Sequence, residues 1–151
     1  MFNKLITYII FLVMVVFLVS CDVPKQQYVK RFNLDSLQGL LLKKNVDIDK
    51  NISSDGNGSL RITATEPVKL TLFEVNDIDV SDANLIYKAK IRTQDLEGDI
   101  YLEMWCMVNG KGPFFSRSLV SPPMKKDDWQ DEETPFILER GQTLTQFRLN
   151  I

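Results

Sequence analysis

Residues 84–108, NLIYKAKIRTQDLEGDIYLEMWCMV, contain two long segments in which side-chain character alternates with a period of two. In the first segment, one side is apolar or aromatic: Leu85, Tyr87, Ala89 and Ile91. The other side is largely basic: Ile86, Lys88, Lys90 and Arg92. In the second segment, one side is wholly apolar: Ile100, Leu102, Met104, Cys106 and Val108. This alternation predicts two β-strands, each with one face in a hydrophobic core.

Similar segments, separated by clusters of Gly, Pro, Asn and Asp, occur on both sides of this stretch. From residue 59 onward they are SLRITAT, VKLTLFEV, FFSRSL, TPFIL and TQFRLNI. The apolar residues between positions 37 and 48 fit helical spacing and a buried strand about equally well, and we assign a strand there. Seven or eight short strands without a convincing helix predict an all-β protein, either a sandwich or a barrel.

The composition of the 151-residue chain excludes several kinds of active site. The chain has no histidine, which excludes Ser-His-Asp and Cys-His nucleophile systems and every histidine metal site. With two cysteines, a four-cysteine zinc site is excluded as well. There are 18 basic and 20 acidic residues, and this mild acidity argues against nucleic-acid binding. We therefore expect a protein that is not an enzyme.

The N-terminal residues have the pattern of a targeting signal. Lys4 precedes an almost unbroken apolar run that ends in LVSC at residues 18–21. This pattern resembles the bacterial lipoprotein signal, which implies cleavage after Ser20 and lipidation of Cys21. An uncleaved transmembrane anchor is the alternative, although the run is somewhat short for a span of about 20 residues. The resemblance implies an extracytoplasmic protein held at the cell membrane by its lipid, and Asp22 mildly favours the inner membrane.

We expect the chain to have three parts. Residues 1–20 are the signal peptide, residues 21–31 are the lipidated cysteine and a polar tether, and residues 32–151 are one β-domain. Lipidation of Cys21 leaves Cys106 without a disulfide partner. The domain must therefore be stable through its core alone, although an exported protein could form disulfides.

The second face of the strand predicted at residues 99–108 is the best candidate for a binding site. It carries Tyr101, Glu103 and Trp105. Aromatic rings stack on the C–H faces of sugars, while carboxylates and basic side chains hydrogen-bond to hydroxyl groups. The basic residues of the preceding strand are expected to complete this surface: Lys88, Lys90 and Arg92. The alternative is purely structural, because an aromatic strand covered on both sides occurs in any sandwich.

A polar loop, DIDKNISSDGNGS at residues 47–59, presents oxygen ligands at alternate positions. The candidate ligands for a structural calcium ion are Asp47, Asp49, Asp55 and Asn57. The loop is not an EF-hand, because Ile52 stands where that motif requires glycine. A tight turn between two strands, favoured by Asp55-Gly56 and Asn57-Gly58, is the alternative.

The order of these segments resembles small bacterial envelope lipoproteins whose domain is similar to the galactose-binding-like fold. The motifs that carry the resemblance are SSDGNGSLRI, VKLTLFEV, DVSDANLIYKAKIRTQDLEGDIYLEMW, GPFFSRSL, ETPFILERGQ and FRLNI. The resemblance covers residues 32–151 and implies a jelly-roll β-sandwich of the carbohydrate-binding-module type. Proteins of this kind usually continue from the FRLNI strand into a final strand, so we expect a shortened member with an unpaired sheet edge.

Two functional hypotheses follow from the sequence. The first is a lipid-anchored, extracytoplasmic, non-catalytic protein that binds a carbohydrate. The second is a structural or protein-interaction subunit of the cell envelope that has no sugar ligand. A fold of this kind implies its ligand only weakly, so the geometry of the site must distinguish the two.

Overall fold

The computed structural model describes residues 26–118 and 128–151. The expected signal peptide at residues 1–20, the expected lipidation site Cys21 and the first part of the expected tether lie outside these ranges. Asn33–Ile151 forms one compact unit. In the part of the chain that is described, no helix is long and apolar enough to cross a membrane.

Nine β-strands and no helix occur within the described residues. In chain order they are β1 (Val46–Asp49), β2 (Ser59–Ile62), β3 (Thr71–Val75), β4 (Val80–Ser81), β5 (Asn84–Ile91), β6 (Glu103–Val108), β7 (Gly112–Arg117), β8 (Gln130–Ile137) and β9 (Thr143–Asn150). The protein is therefore all-β, as the alternation in its sequence predicts.

The strands form three antiparallel sheets. The largest, which we call the main sheet, has the order β3-β9-β6-β7, and the short β4 also pairs with β9. Two smaller ribbons consist of β1 with β2 and of β5 with β8. Ser116 of β7 links the main sheet to β8, because its hydroxyl hydrogen-bonds to Thr134 Oγ1 at 2.6 Å and donates to the carbonyl oxygen of Pro135. Several antiparallel sheets in one compact unit are consistent with a β-sandwich.

The core is built from the faces that the sequence predicts to be apolar. On β6 and just before it, four side chains are at most 3% exposed: Leu102, Met104, Cys106 and Val108. The register of β9 against β6 adds three more buried side chains: Leu144, Phe147 and Leu149. Leu85 and Ile91 of β5 are buried, whereas Lys88 and Lys90 are exposed. Burying each large apolar side chain stabilises the fold by about 1.5–3 kcal/mol.

The prediction that β5 lies beside β6 is wrong. We expected the basic residues of β5 to lie beside β6, but β5 pairs with β8, and β6 lies between β9 and β7. Residues 92–102 connect β5 to β6. This connection is longer than the roughly two to five residues of a hairpin loop, so the chain leaves the ribbon before it enters the main sheet.

The expected unpaired edge at the FRLNI strand does not occur either. That strand is β9, and it is hydrogen-bonded to β6 on one side and to β3 and β4 on the other. Beyond β9, the backbone of Ile151 exchanges two hydrogen bonds with Leu70, at 2.8 and 2.9 Å. β9 is therefore an interior strand of the main sheet.

Candidate functional site

The outer face of the main sheet carries the side chains that point away from the core. Because alternate residues of β6 point into the core, Glu103 and Trp105 point outward. The strand register places Phe115 of β7 and Arg148 of β9 opposite Trp105, and it places Arg117 of β7 opposite Glu103. We call this surface the aromatic-cation face, and its residues are Lys69, Glu103, Trp105, Phe115, Arg117 and Arg148.

Glu103 lies at the centre of the hydrogen bonds of this face and is only 4% exposed. Its Oε2 atom accepts hydrogen bonds from Nε and Nη2 of Arg117, at 3.2 and 2.7 Å. Its Oε1 atom accepts from the indole N–H of Trp105 at 2.6 Å and from the amide of Asn150 at 3.0 Å, and it forms an ion pair with Lys69. A carboxylate offers about four lone-pair positions, so these five contacts leave no acceptor free for a ligand.

The environment of Glu103 also determines its protonation. Burial opposes ionisation, but the hydrogen bonds from Lys69, Arg117, Trp105 and Asn150 outweigh it and lower the pKa of this carboxyl from 4.5 to about 2. Glu103 is therefore ionised at every pH near neutrality. A general acid or base works best with a pKa near the operating pH, and Glu103 does not meet that condition.

Aromatic rings and cations are in contact on the same face. The rings of Trp105 and Phe115 stack with their centroids 5.1 Å apart and an interplanar angle of 27°. Lys69 Nζ lies 5.1 Å from the Trp105 centroid, and Arg117 Cζ lies 5.9 Å from that of Phe115 and 5.3 Å from that of Tyr101. Each exposed cation–π contact contributes about 0.5–1 kcal/mol, so together these contacts favour the observed orientations of the rings. Phe115 remains 55% exposed and presents its ring to solvent.

A half-open hollow of about 190 Å³ lies beside Trp105. Its lining residues are Trp105, Cys106, Met107, Pro113, Gln146 and Arg148. The hollow is smaller than the roughly 300–1,000 Å³ of sites for drug-sized ligands. It can therefore hold one small ring or group of a ligand whose remainder lies on the surface outside.

Three of the residues predicted for the site lie together. Tyr101, Glu103 and Trp105 are connected through Arg117, which contacts the first two, and through the hydrogen bond from the indole of Trp105 to Glu103. Trp105 is half-buried, and its N–H group is occupied by Glu103. The hydroxyl of Tyr101 donates to Asp99 at 3.2 Å. Phe115, rather than Trp105, is therefore the more open aromatic surface.

The basic residues predicted for the site lie elsewhere. Lys88 and Lys90 belong to the β5–β8 ribbon, and Lys88 forms an ion pair with Glu133 at 2.9 Å. Arg92 follows β5 on the connection toward β6. The cations of the aromatic-cation face come from three other places in the chain: Lys69, Arg117 and Arg148.

Sequence reasoning missed four contributors to the face: Lys69, Phe115, Arg117 and Arg148. A signal for two of them existed in FFSRSL, where Phe115 and Arg117 lie on one face of a strand because they are two residues apart. The Asn109-Gly110 pair between the two segments is a hairpin signal from which the pairing of this strand with β6 could have been predicted. Lys69 precedes β3, where the backbone bonds between Leu70 and Ile151 place it beside the main sheet.

The polar loop at residues 50–58 connects β1 to β2, and its carboxylates are engaged in local hydrogen bonds. Asp49 Oδ1 accepts from the backbone N–H groups of Asn51 and Ile52, at 2.9 and 3.0 Å, and these bonds lower the pKa of Asp49. Asp55 Oδ1 accepts from the backbone N–H of Asn57 at 3.0 Å and from the hydroxyl of Ser53 at 2.9 Å.

This loop fits calcium poorly. The ammonium of Lys50 donates to the backbone oxygen of Asn57 at 3.4 Å, which places a positive charge among the proposed ligands. Within the ranges that the structure describes, no three acidic or thiol side chains are grouped as a metal site, and this includes Asp47, Asp49 and Asp55. The carboxylates of the loop instead stabilise its backbone.

No family model matches the chain, and no curated protein and no solved structure is significantly similar to it. The fold and the face together define an all-β protein with an aromatic and cationic surface on its main sheet. The galactose-binding-like relationship rests on the sequence motifs alone.

Proposed function

We propose that this protein is a lipid-anchored, extracytoplasmic, non-catalytic binding protein, and that its ligand is a carbohydrate. In this proposal the β-domain is a jelly-roll sandwich of the galactose-binding-like type. The all-β architecture with several antiparallel sheets and the resemblance of the sequence motifs support the fold assignment. The LVSC sequence that ends at Cys21 supports the anchor.

The observation that carries the carbohydrate proposal is the exposed ring of Phe115. The ring is held from one side by Trp105 and lies near the guanidinium of Arg117. An exposed aromatic ring with charged hydrogen-bond donors at its border is suited to a sugar, which has an apolar C–H face and polar hydroxyl edges. The contacts with Trp105 and Arg117 favour one orientation of the ring and so reduce the conformational freedom that it loses on binding.

A binding role fits the chemistry of the face better than a catalytic one. Glu103, its central carboxylate, is buried, fully hydrogen-bonded and ionised near neutral pH. Glycosidases need a pair of carboxyl groups that approach the scissile bond, one of them able to donate a proton. Glu74, an acidic residue at the border of the face, already accepts a hydrogen bond from Arg148 and forms an ion pair with it.

The carbohydrate proposal is tested with two adjacent phenylalanines. Phe115 and Phe114 are both exposed, at 55% and 44%, but they point to opposite faces of β7. The full chain is first screened on a glycan array, and affinities for the best glycan are then measured by isothermal titration calorimetry. We expect Phe115→Ala to weaken binding by tenfold or more and Phe114→Ala to change it less than twofold. The absence of any glycan ligand, or equal effects of the two substitutions, would refute the proposal.

The anchor is tested separately by metabolic labelling with a palmitate analogue. We expect label on the wild-type chain and none on the Cys21→Ser variant, because the thiol carries the first acyl chains. The control is Cys106→Ser, which should retain the label because Cys106 is buried in the core. Label on the Cys21→Ser variant would contradict the proposed site of lipidation.

The second candidate function is docking of another envelope protein, and a surface on the β5–β8 ribbon favours it. Ile86 and Pro135 are opposite each other in the register, and both are exposed. Ile137, also on β8, is 69% exposed. Exposed apolar side chains that lie close together are typical of protein-interaction surfaces.

Site-specific photocrosslinking in native membranes tests this alternative. A photoreactive residue at position 137 should give one reproducible adduct, which Ile86→Lys should abolish. The same probe at position 90, on the polar end of the ribbon, should give none. Failure to obtain an adduct at position 137 would count against the docking function.

A further inference from the structure

Arg148 has hydrogen-bonding capacity that the fold does not use. Its Nε atom donates to Glu74 Oε2, but no described residue accepts a hydrogen bond from its Nη1 or Nη2 groups. A guanidinium has five N–H donors in a planar fork that fits a carboxylate in a bidentate manner. The side chain is about half exposed, at 55%, and it lines the hollow beside Trp105. Four donor N–H bonds of Arg148 are therefore available at the edge of this hollow.

The other lining residues of the hollow are suited to a sugar ring. Trp105, Met107 and Pro113 supply an apolar surface. Gln146 donates through Nε2 to Asn76 Oδ1 at 2.6 Å, and this bond directs its carbonyl oxygen Oε1 away from Asn76 as an acceptor. The hollow thus combines an apolar floor, a hydroxyl acceptor and an arginine fork.

The charges of the face favour an anionic ligand. The three cations Lys69, Arg117 and Arg148 exceed the two carboxylates Glu103 and Glu74 by one charge. This excess is local, since the whole chain carries a net charge of −2. The cations of this face therefore attract a small negatively charged group.

We propose that the hollow beside Trp105 binds the ring of an acidic sugar whose carboxylate receives two hydrogen bonds from Arg148. This inference rests on the proposed carbohydrate-binding function and specifies its ligand class. The C–H face of the pyranose lies on the apolar floor, and a ring hydroxyl donates to Gln146 Oε1. A neutral sugar would lie on the same floor but would leave the arginine fork hydrated, so it binds more weakly.

The test compares pairs of sugars that differ only at C6. Methyl β-D-glucuronide and methyl β-D-galacturonide are titrated against the full chain in detergent micelles, each beside its neutral glycoside. Sodium acetate, at the same concentrations, tests for recognition of a carboxylate without a ring. Binding is followed through the NMR signals of the Trp105 indole N–H and the Arg148 Nε–H. We expect at least one uronide to bind tenfold more tightly than its neutral counterpart and than acetate.

Two substitutions with opposite expected effects sharpen the test. Arg148→Gln removes the fork, and we expect the affinity for the uronide to fall to that for the neutral sugar. Glu74→Gln keeps the shape of the side chain but removes the charge that competes for Arg148, and we expect the affinity for the uronide to rise two- to fivefold. Arg140→Gln is the matched control, because Arg140 is exposed in the turn between β8 and β9 and should not affect binding.

The outcomes separate this inference from the function on which it rests. Neutral glycans that bind in a Phe115-dependent manner, with no preference for uronides, would overturn the acidic-sugar inference and leave the carbohydrate proposal standing. Acetate binding as tightly as the uronides, or an unchanged uronide affinity in Arg148→Gln, would also overturn the inference. The absence of binding to any sugar would overturn both.

Discussion

Replacing Glu103 by glutamine tests how much the buried carboxylate contributes to the fold. The substitution keeps the size of the side chain but removes its charge and turns one acceptor into an N–H donor. At least one of the present donors, Lys69, Arg117, Trp105 or Asn150, must then face another donor. The side chains of Lys69 and Arg117 are about half exposed and regain hydration, whereas the amide of Asn150 stays buried.

Two independent considerations give the size of the effect. The lowering of the Glu103 pKa from 4.5 to about 2 corresponds to about 3 kcal/mol, at about 1.36 kcal/mol per pH unit. Removing one partner of a buried ion pair costs about 3–5 kcal/mol, and the partial exposure of the two cations places this case at the lower end. We therefore expect Glu103→Gln to lower the free energy of unfolding by about 3 kcal/mol at pH 7.

The direction of the Glu103 pKa shift determines how this effect depends on pH. Because the pKa of Glu103 is lower in the folded state, the stabilisation is complete above the unfolded value of 4.5 and is lost as the pH falls toward about 2. The stability difference between the wild type and Glu103→Gln should therefore shrink between pH 5 and pH 2. Urea unfolding followed by tryptophan fluorescence measures it, with exposed Glu97→Gln as the control. A difference under 1 kcal/mol at pH 7, or one that does not change with pH, would refute this account of Glu103.

Three further predictions concern the core and one turn. Burial raises the pKa of the Cys106 thiol to about 12 and removes it from solvent, so a thiol reagent at pH 8 should label Cys106 only after urea unfolds the protein. Leu144→Ala should lower the free energy of unfolding by about 2–5 kcal/mol, because this side chain is 0% exposed, whereas Leu41→Ala should change it by less than about 1 kcal/mol, since Leu41 is 58% exposed. Gly58→Ala should lower the melting temperature more than Gly141→Ala: both glycines have positive φ, but a Cβ atom at position 58 would lie 3.1 Å from the backbone oxygen of Asp49, and one at position 141 would contact nothing within 4 Å. Equal melting temperatures for the two glycine variants would contradict the steric argument.

The sequence predicts which side of each strand is buried more reliably than which strands are neighbours. Period-two alternation placed Leu85 and Ile91 in the core and Lys88 at the surface, and the structure confirms this. The same alternation carries no information on pairing partners, because any strand with an apolar face can pack beside any other. The assignment of Lys88 to the neighbourhood of Trp105 was wrong for this reason.

The candidate site shows the same limit. Tyr101, Glu103 and Trp105 could be predicted to share a face because they lie on one segment with a spacing of two. The cations that complete the face come from other segments of the chain: Arg117 lies 14 residues after Glu103, Arg148 lies on β9, and Lys69 precedes β3. Pairing of these segments in the main sheet brings the cations together. The local sequence does not indicate that Glu103 is buried, since most of its hydrogen-bond donors lie outside β6.

The five hydrogen bonds and ion contacts of Glu103 also favour one alignment of the strands that form them. Asn150 of β9 and Arg117 of β7 reach the carboxylate only in the observed register. If β9 slipped by one residue, Leu149 would stand opposite Glu103, the amide would point to the other face, and a charged group would lose one of its buried donors. Misaligned versions of the main sheet are thus penalised electrostatically as well as by exposed apolar surface. A single carboxylate in this way helps to select one alignment of three strands from the several that alternation alone would permit.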